Sequence, residues 1–115
     1  GAEADVTIIE SYPGVVNHDG FSALVEQSMV KLVGREKVEI QRIPNMGTED
    51  FGAFMKRDLS VPGCFCSFGF GDGGVDCKYP AHSPFHRVNE DGLAYAAALF
   101  VQVCFDYFVL TQHQS

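Results

Sequence analysis

Val61-Pro62-Gly63-Cys64-Phe65-Cys66-Ser67-Phe68-Gly69 is the stretch that decides the fold of this 115-residue chain. A Pro-Gly turn leads it, apolar residues fall on both of its faces, and glycines close it. Such a run reads as a central strand, covered on both sides as in a mostly parallel sheet. Two short motifs flank it, Gly47-Thr48-Glu49-Asp50-Phe51 upstream and Ala81-His82-Ser83-Pro84 downstream. A strand that ends in glycines delivers the following His82 to the carboxyl edge of a sheet, where α/β enzymes keep their chemistry. One histidine does not complete a catalytic centre, so the stretch reads as part of an enzyme.

Working outward, residues 5–12 read as a strand through Val6, Ile8 and Ile9, closed by Pro13-Gly14. Asn17 or Asp19 then caps a helix whose apolar residues, Phe21, Leu24, Val25, Met29, Leu32 and Val33, follow the 3.6 period up to Gly34. Residues 37–43 alternate through Val38 and Ile40 as a short strand. Pro44 to Gly47 turn the chain, and Thr48 caps a second helix with Phe51, Phe54 and Met55 on one face. After the central strand, residues 71–80 form a loop. The last helix spans residues 90–110, with Leu93, Ala97, Phe100, Val101, Cys104 and Phe108 on one stripe and Tyr95, Phe105, Tyr107 and Val109 on its other faces, which implies cover on more than one side. The order β-α-β-α-β-α argues for an α/β layered fold.

Composition narrows the function. At 46 % hydrophobic residues the chain is globular, and its length suffices for one domain burying roughly 65 % of its unfolded surface. A net charge of -7, with basic residues dispersed, excludes the basic footprint that nucleic acid or an anionic membrane surface requires. Residues 93–110 are apolar enough to raise a membrane-span question. Gln102 and Asp106 oppose it, because a central Asp costs about 2.5–3.5 kcal/mol on insertion, so a buried helix is expected. The opening residues are acidic and small, with no basic leader region. Cys64, Cys66, Cys77 and Cys104 fit no disulfide framework or Cys-x-x-Cys motif, so buried reduced thiols in a cytoplasmic protein are expected.

Five features could carry chemistry. The Gly47-Thr48 turn at a helix N-terminus would offer free N–H groups to a carboxylate or phosphate, against which Glu49 and Asp50 compete. His82 beyond a central strand is a candidate metal ligand. Cys77, His82 and His86, helped by Cys64 or Cys66, could build a local structural zinc site, although the spacing matches no common finger. Gly69-x-Gly71-x-Gly73-Gly74 lacks the lysine and hydroxyl of a phosphate loop and reads as a glycine loop bordering a site. Cys64 or Cys66 paired with His82 would be a thiol catalyst only if its sulfur ionised readily, which strand burial opposes. No Gly-x-Ser-x-Gly nucleophile elbow is present.

Taken together, Tyr12-Pro13-Gly14-Val15-Val16-Asn17, Met46-Gly47-Thr48-Glu49-Asp50-Phe51, Val61-Pro62-Gly63, Gly69, His82-Ser83-Pro84 and the helix with Leu93 and Ala96-Ala97-Ala98 resemble the C-terminal part of the zinc-dependent amidohydrolases and metallopeptidases of the aminoacylase–carboxypeptidase clan. The branch of N-acyl-amino-acid amidohydrolases, with hippurate hydrolase and the auxin-conjugate hydrolases, is the most similar. The resemblance implies that residues 1–14 are the remnant of the last strand of a lid domain and residues 15–115 the C-terminal part of a catalytic α/β domain. It further implies that His82 is the last ligand of a two-metal site holding zinc or another divalent cation. Gly47 and Thr48 would bind the substrate carboxylate of a small N-acylated amino acid or peptide. The other metal ligands and the general base of that family lie upstream of the lid and have no counterpart here. Glu49 and Asp50 do not replace them, and His86 and Arg87 depart from the family's usual acidic or aromatic pattern. On that reading the chain alone is inactive and self-associates through the surface meant for the missing part. The alternative is a small non-catalytic module that keeps the scaffold, zinc-stabilised through Cys77, His82 and His86.

Overall fold

In the computed structural model, residues 1–9, 12–41, 43–47, 49–55, 61–71 and 79–112 are described. Two α-helices dominate: α1, Asp19–Val33, and α2, Asp91–Gln112, with 3₁₀ turns at Arg35–Lys37 and Asp50–Met55.

Helix α1 forms where the 3.6-residue spacing places it. Its N-cap is His18, between the two expected caps, and the ring Nδ1 accepts a hydrogen bond from Phe21 N at 3.2 Å. Asp19 places negative charge in the first turn and Lys31 positive charge in the last, both favourable to the macrodipole. Gly34 ends the helix at φ 86°, a left-handed conformation that costs glycine little. Asn17, freed from capping, works elsewhere: its Nδ2 donates to Phe65 O at 2.9 Å and Phe65 N donates to its Oδ1 at 2.8 Å. With His18 N donating to Gly63 O at 2.9 Å, the start of α1 is laced to the decisive stretch at residues 63–65.

The packing of α2 on α1 differs from the expected stripe. Leu99 is the buried residue of α2, and with it Ala96, Gln102, Val103 and Asp106 are covered in part. Phe100, Val101 and Phe108 instead stand 75, 57 and 62 % exposed, and Leu93 and Cys104 are exposed as well. Helix α2 is apolar nearly all round, so counting apolar residues does not choose its inner face; a polar anchor does. Ser28, fully buried on α1, donates to Asp106, which fixes the rotation of α2. Asp106 therefore belongs in the helix interface, and the expectation of a buried helix fails over most of its circumference.

The expected strands are also absent: no strand is formed among the described residues, so the β-α-β-α-β-α order is not confirmed. A strand exists only through a ladder with a neighbour, and residues 61–70 have the Asn17 side chain and His18 N–H as partners instead. The second helix is a six-residue 3₁₀ turn that begins after Glu49, whose Oε1 accepts from Phe51 N at 3.1 Å. Gly52 in its middle weakens an α-helix and is required by packing, since a Cβ there would stand 2.6 Å from Pro13 O.

The core is correspondingly small. Among the described residues its buried apolar side chains are Leu24, Val25 and Leu99. The surface of 9993 Å² compares with about 6200 Å² for a folded monomer of this mass. The radius of gyration, 18.3 Å, compares with about 13 Å for a compact domain of this length. The burial expected from length alone is not reached.

Candidate functional site

Residues 79–89 form a hydrogen-bonded loop that presents His82. Ser83 N donates to Pro80 O at 3.2 Å and His86 N to Ser83 O at 3.0 Å, making two successive turns. Ser83 Oγ accepts from Phe85 N at 3.2 Å. Asn89 N donates to Phe70 O at 3.1 Å, tying the far end of the loop to the residues after the decisive stretch. His82 sits at the bend with φ 70°, the non-glycine residue in the left-handed region among those described. That conformation is uncommon for a side-chain-bearing residue and gathers at binding and catalytic positions. The residue is exposed.

His86 is held differently. Its Nδ1 is 3.0 Å from Tyr79 O. A carbonyl only accepts, so Nδ1 is the donor of this bond. The Tyr79 and Phe85 rings, 5.4 Å apart, pack beside this contact. Cys77, the third member of the local zinc set, lies outside the described residues. Among the described residues no three His, Cys, Asp or Glu side chains come close enough to hold a metal ion. Among the described residues the chain therefore holds no complete divalent-cation site.

The Gly47 turn borders a groove of about 590 Å³ that runs past Tyr12, Pro13, Gln41, Asn45 and Glu49 to Phe65. Thr48 lies outside the described residues. Gly47 N donates to Asn45 Oδ1 at 2.9 Å, an Asx turn, and Phe51 N is taken by Glu49. The Gly47 and Phe51 amides thus have internal partners, and Glu49 adds negative charge to the rim. His82 does not line this groove, so the structure does not bring Gly47 and His82 into one pocket. The Asx turn was readable in advance from Asn45-Met46-Gly47.

The thiols correct another expectation. Cys64 is half-buried, whereas Cys66 and Cys104 are exposed, and all three are free. Partial desolvation of its sulfur, with Cys64 beside it, pushes the Cys66 thiol above its ordinary range. A raised thiol is a poor nucleophile at neutral pH, which counts against a Cys66–His82 catalyst. Of the glycine loop, Gly69 and Gly71 face open space, while Gly73 and Gly74 lie outside the described residues.

An exposed histidine with a positive φ on a hydrogen-bonded loop does not by itself define a class of protein. The comparisons with known proteins say which class. Residues 2–106 match peptidase family M20/M25/M40, and the chain belongs to that family. It is 32 % identical over 98 residues to an IAA-amino acid hydrolase ILR1-like 2 of Arabidopsis thaliana, covering 85 % of this chain and 21 % of that protein. Thermostable carboxypeptidase 1 of Saccharolobus solfataricus is 30 % identical over 98 residues, covering 84 % and 23 %. A probable hydrolase, sll0100, of Synechocystis is 27 % identical over 90 residues, covering 78 % and 22 %. The chain thus spans about a fifth of the length of these relatives. No solved structure matches it.

Proposed function

We propose that this chain is the C-terminal segment of a metal-dependent amidohydrolase that cleaves N-acyl-amino-acid or peptide-like amide bonds. The observation that carries the reading is the family match across residues 2–106, with relatives named as an IAA-amino acid hydrolase and a carboxypeptidase. In it, residues 1–14 close a lid domain and residues 15–115 belong to the catalytic domain. His82 contributes one ligand to zinc or another divalent cation, supported by its exposed, left-handed position. Gly47 and Thr48 stand near the substrate carboxylate, supported by the groove that Gly47 borders. For Gly47 to donate there, its amide must leave Asn45. The unpaired thiols support a cytoplasmic setting.

The reading is tested by exchange. The matching segment of the Arabidopsis relative is replaced by this chain, and hydrolysis of N-acyl-amino acids is followed with and without His82→Ala. Retained hydrolysis that His82→Ala abolishes is the expected result; equal rates for both chimeras overturn the ligand assignment. Metal content of the chain alone separates the module alternative. About one tightly held zinc per chain, lost on His82→Ala, would favour a self-contained zinc module and overturn the fragment reading.

A further inference from the structure

We propose that His86 is a positioning residue for His82: its ring closes the loop on Tyr79 and so holds His82 in its left-handed conformation. The loop consists of two successive turns that share Ser83. In the first, closed by Ser83 N on Pro80 O, His82 is the third residue and has φ 70°. Ala81 before it has no positive φ, so the turn is of type II, whose third position is the ordinary place of glycine. A histidine persists there only where its surroundings over-determine the backbone. In the second turn, closed by His86 N on Ser83 O, Pro84 sets the first φ and no such support is required.

His86 supplies that support. Its backbone N–H ends the second turn, and its ring Nδ1 reaches back 3.0 Å to the carbonyl of Tyr79, the residue before the first turn. One residue thus ties the two ends of the double turn together, with His82 between them in the chain. The far end of the loop is anchored separately. Asn89 N donates to Phe70 O, and the Phe70 ring lies where a Cβ on Gly92 would stand, 2.3 Å from its Cδ1. With that end fixed, the conformation at His82 is decided within residues 79–86. Every partner in the clasp is local, so the clasp does not depend on what covers this face of the chain. The imidazole contributes through its donor: a phenyl ring at position 86 would keep an aromatic side chain and lose the bond to Tyr79. The use of the clasp in catalysis rests on the reading of His82 as a metal ligand; the clasp itself does not.

Nuclear magnetic resonance of the 115-residue chain reads the backbone directly. A positive φ brings the His82 amide proton close to its own α-proton and gives a strong nuclear Overhauser effect between them. That effect is expected in the parent and in His86→Asn, whose Nδ2 donates from the place of Nδ1. It should be lost in His86→Phe and His86→Ala, with far-ultraviolet helicity retained. In the chimera with the Arabidopsis relative, the substrate is an IAA-amino acid, the class for which that relative is named. There His86→Phe should lower kcat/KM by about 10–100-fold, carried by kcat, while His86→Asn stays close to the parent. A parent without the Overhauser effect, or a His86→Phe chain that keeps it, overturns the clasp. So does its loss in His86→Asn, which would show that the ring and not its donor is needed. A lost effect with unchanged kcat/KM overturns the positioning role. An inactive parent chimera overturns the amidohydrolase reading instead, and the Overhauser effect still decides the clasp.

Discussion

Ser28 on α1 donates its hydroxyl to Asp106 Oδ2 on α2 at 2.7 Å, from a side chain with no exposed surface to one 12 % exposed. Lys31 Nζ reaches Oδ1 of the same carboxylate at 2.6 Å and Gln102 Nε2 reaches it at 3.0 Å. The Ser28 oxygen also lies 3.0 Å from Leu24 O, but one hydroxyl proton serves one acceptor and the charged one is stronger. Two helices whose shared apolar core amounts to Leu24, Val25 and Leu99 are therefore held in rotation by one carboxylate.

Removing the buried hydroxyl should loosen that pair. Ser28→Ala is expected to lower stability by about 1.5–3 kcal/mol, the net worth of a hydrogen bond to a charged group. Lys31→Ala removes a largely exposed partner and should cost no more than ~1 kcal/mol. Urea midpoints of the two variants check the order, and an unchanged midpoint for Ser28→Ala would show that α2 docks without the network.

The same carboxylate sets an acid limit. Hydrogen bonds from Lys31, then Ser28 and Gln102, hold the Asp106 carboxyl below its usual range, outweighing the opposing effect of desolvation. Its contribution is fully present above the unfolded value, about 3.9, and is lost as pH falls through the lower folded value. Thermal midpoints should thus fall more steeply with acid for the unsubstituted chain than for Asp106→Asn, which lacks the contribution at every pH. Parallel pH profiles would contradict this.

Gly52 tests a different contact. Its Cβ would sit 2.6 Å from Pro13 O, a backbone atom that cannot swing away, so Gly52→Ala should cost about 1–3 kcal/mol. Gly69→Ala meets nothing within 4 Å and should stay within about 0.5 kcal/mol of the parent. Equal losses from both substitutions would mean that the 3₁₀ turn at Asp50–Met55 is not seated on the Pro13-Gly14 turn.

What the residues disclosed in advance divides along physical lines. Helix α1 was legible because its signals are local: periodicity from Phe21 to Val33, a stop at Gly34, a cap within one residue of its place. The existence and length of α2 were legible for the same reason. Its inner face was not, because Phe100 and Leu99 are equally apolar and only the distant Ser28 decides between them. The strands were illegible in a stronger sense. Residues 61–70 have the composition of a central strand, yet the partners that would make a ladder are not local features of the chain. His82 stood out through its Ser-Pro neighbours, but its left-handed backbone and its separation from the Gly47 groove are tertiary facts.

The junction at Asn17-His18 shows how non-local pairing replaces the expected ladder, and it can be probed directly. Asn17 completes both the N–H and the C=O of Phe65, while His18 caps α1 through Phe21 and donates its own N–H to Gly63 O. Adjacent residues thus fix the decisive stretch to the helix start. Asn17→Ala removes two bonds at an exposed site, so a loss of about 1–2 kcal/mol is expected. His18→Ala removes the cap and should cost about 1 kcal/mol, whereas His18→Asp, a stronger cap, should recover or exceed the parent. His18→Ala removes the cap on Phe21 and leaves the backbone N–H to Gly63 O in place, so its loss should add to that of Asn17→Ala, and their double variant checks this. A clear departure from additivity would show that the side-chain cap and the Phe65 pairing are coupled through the helix start.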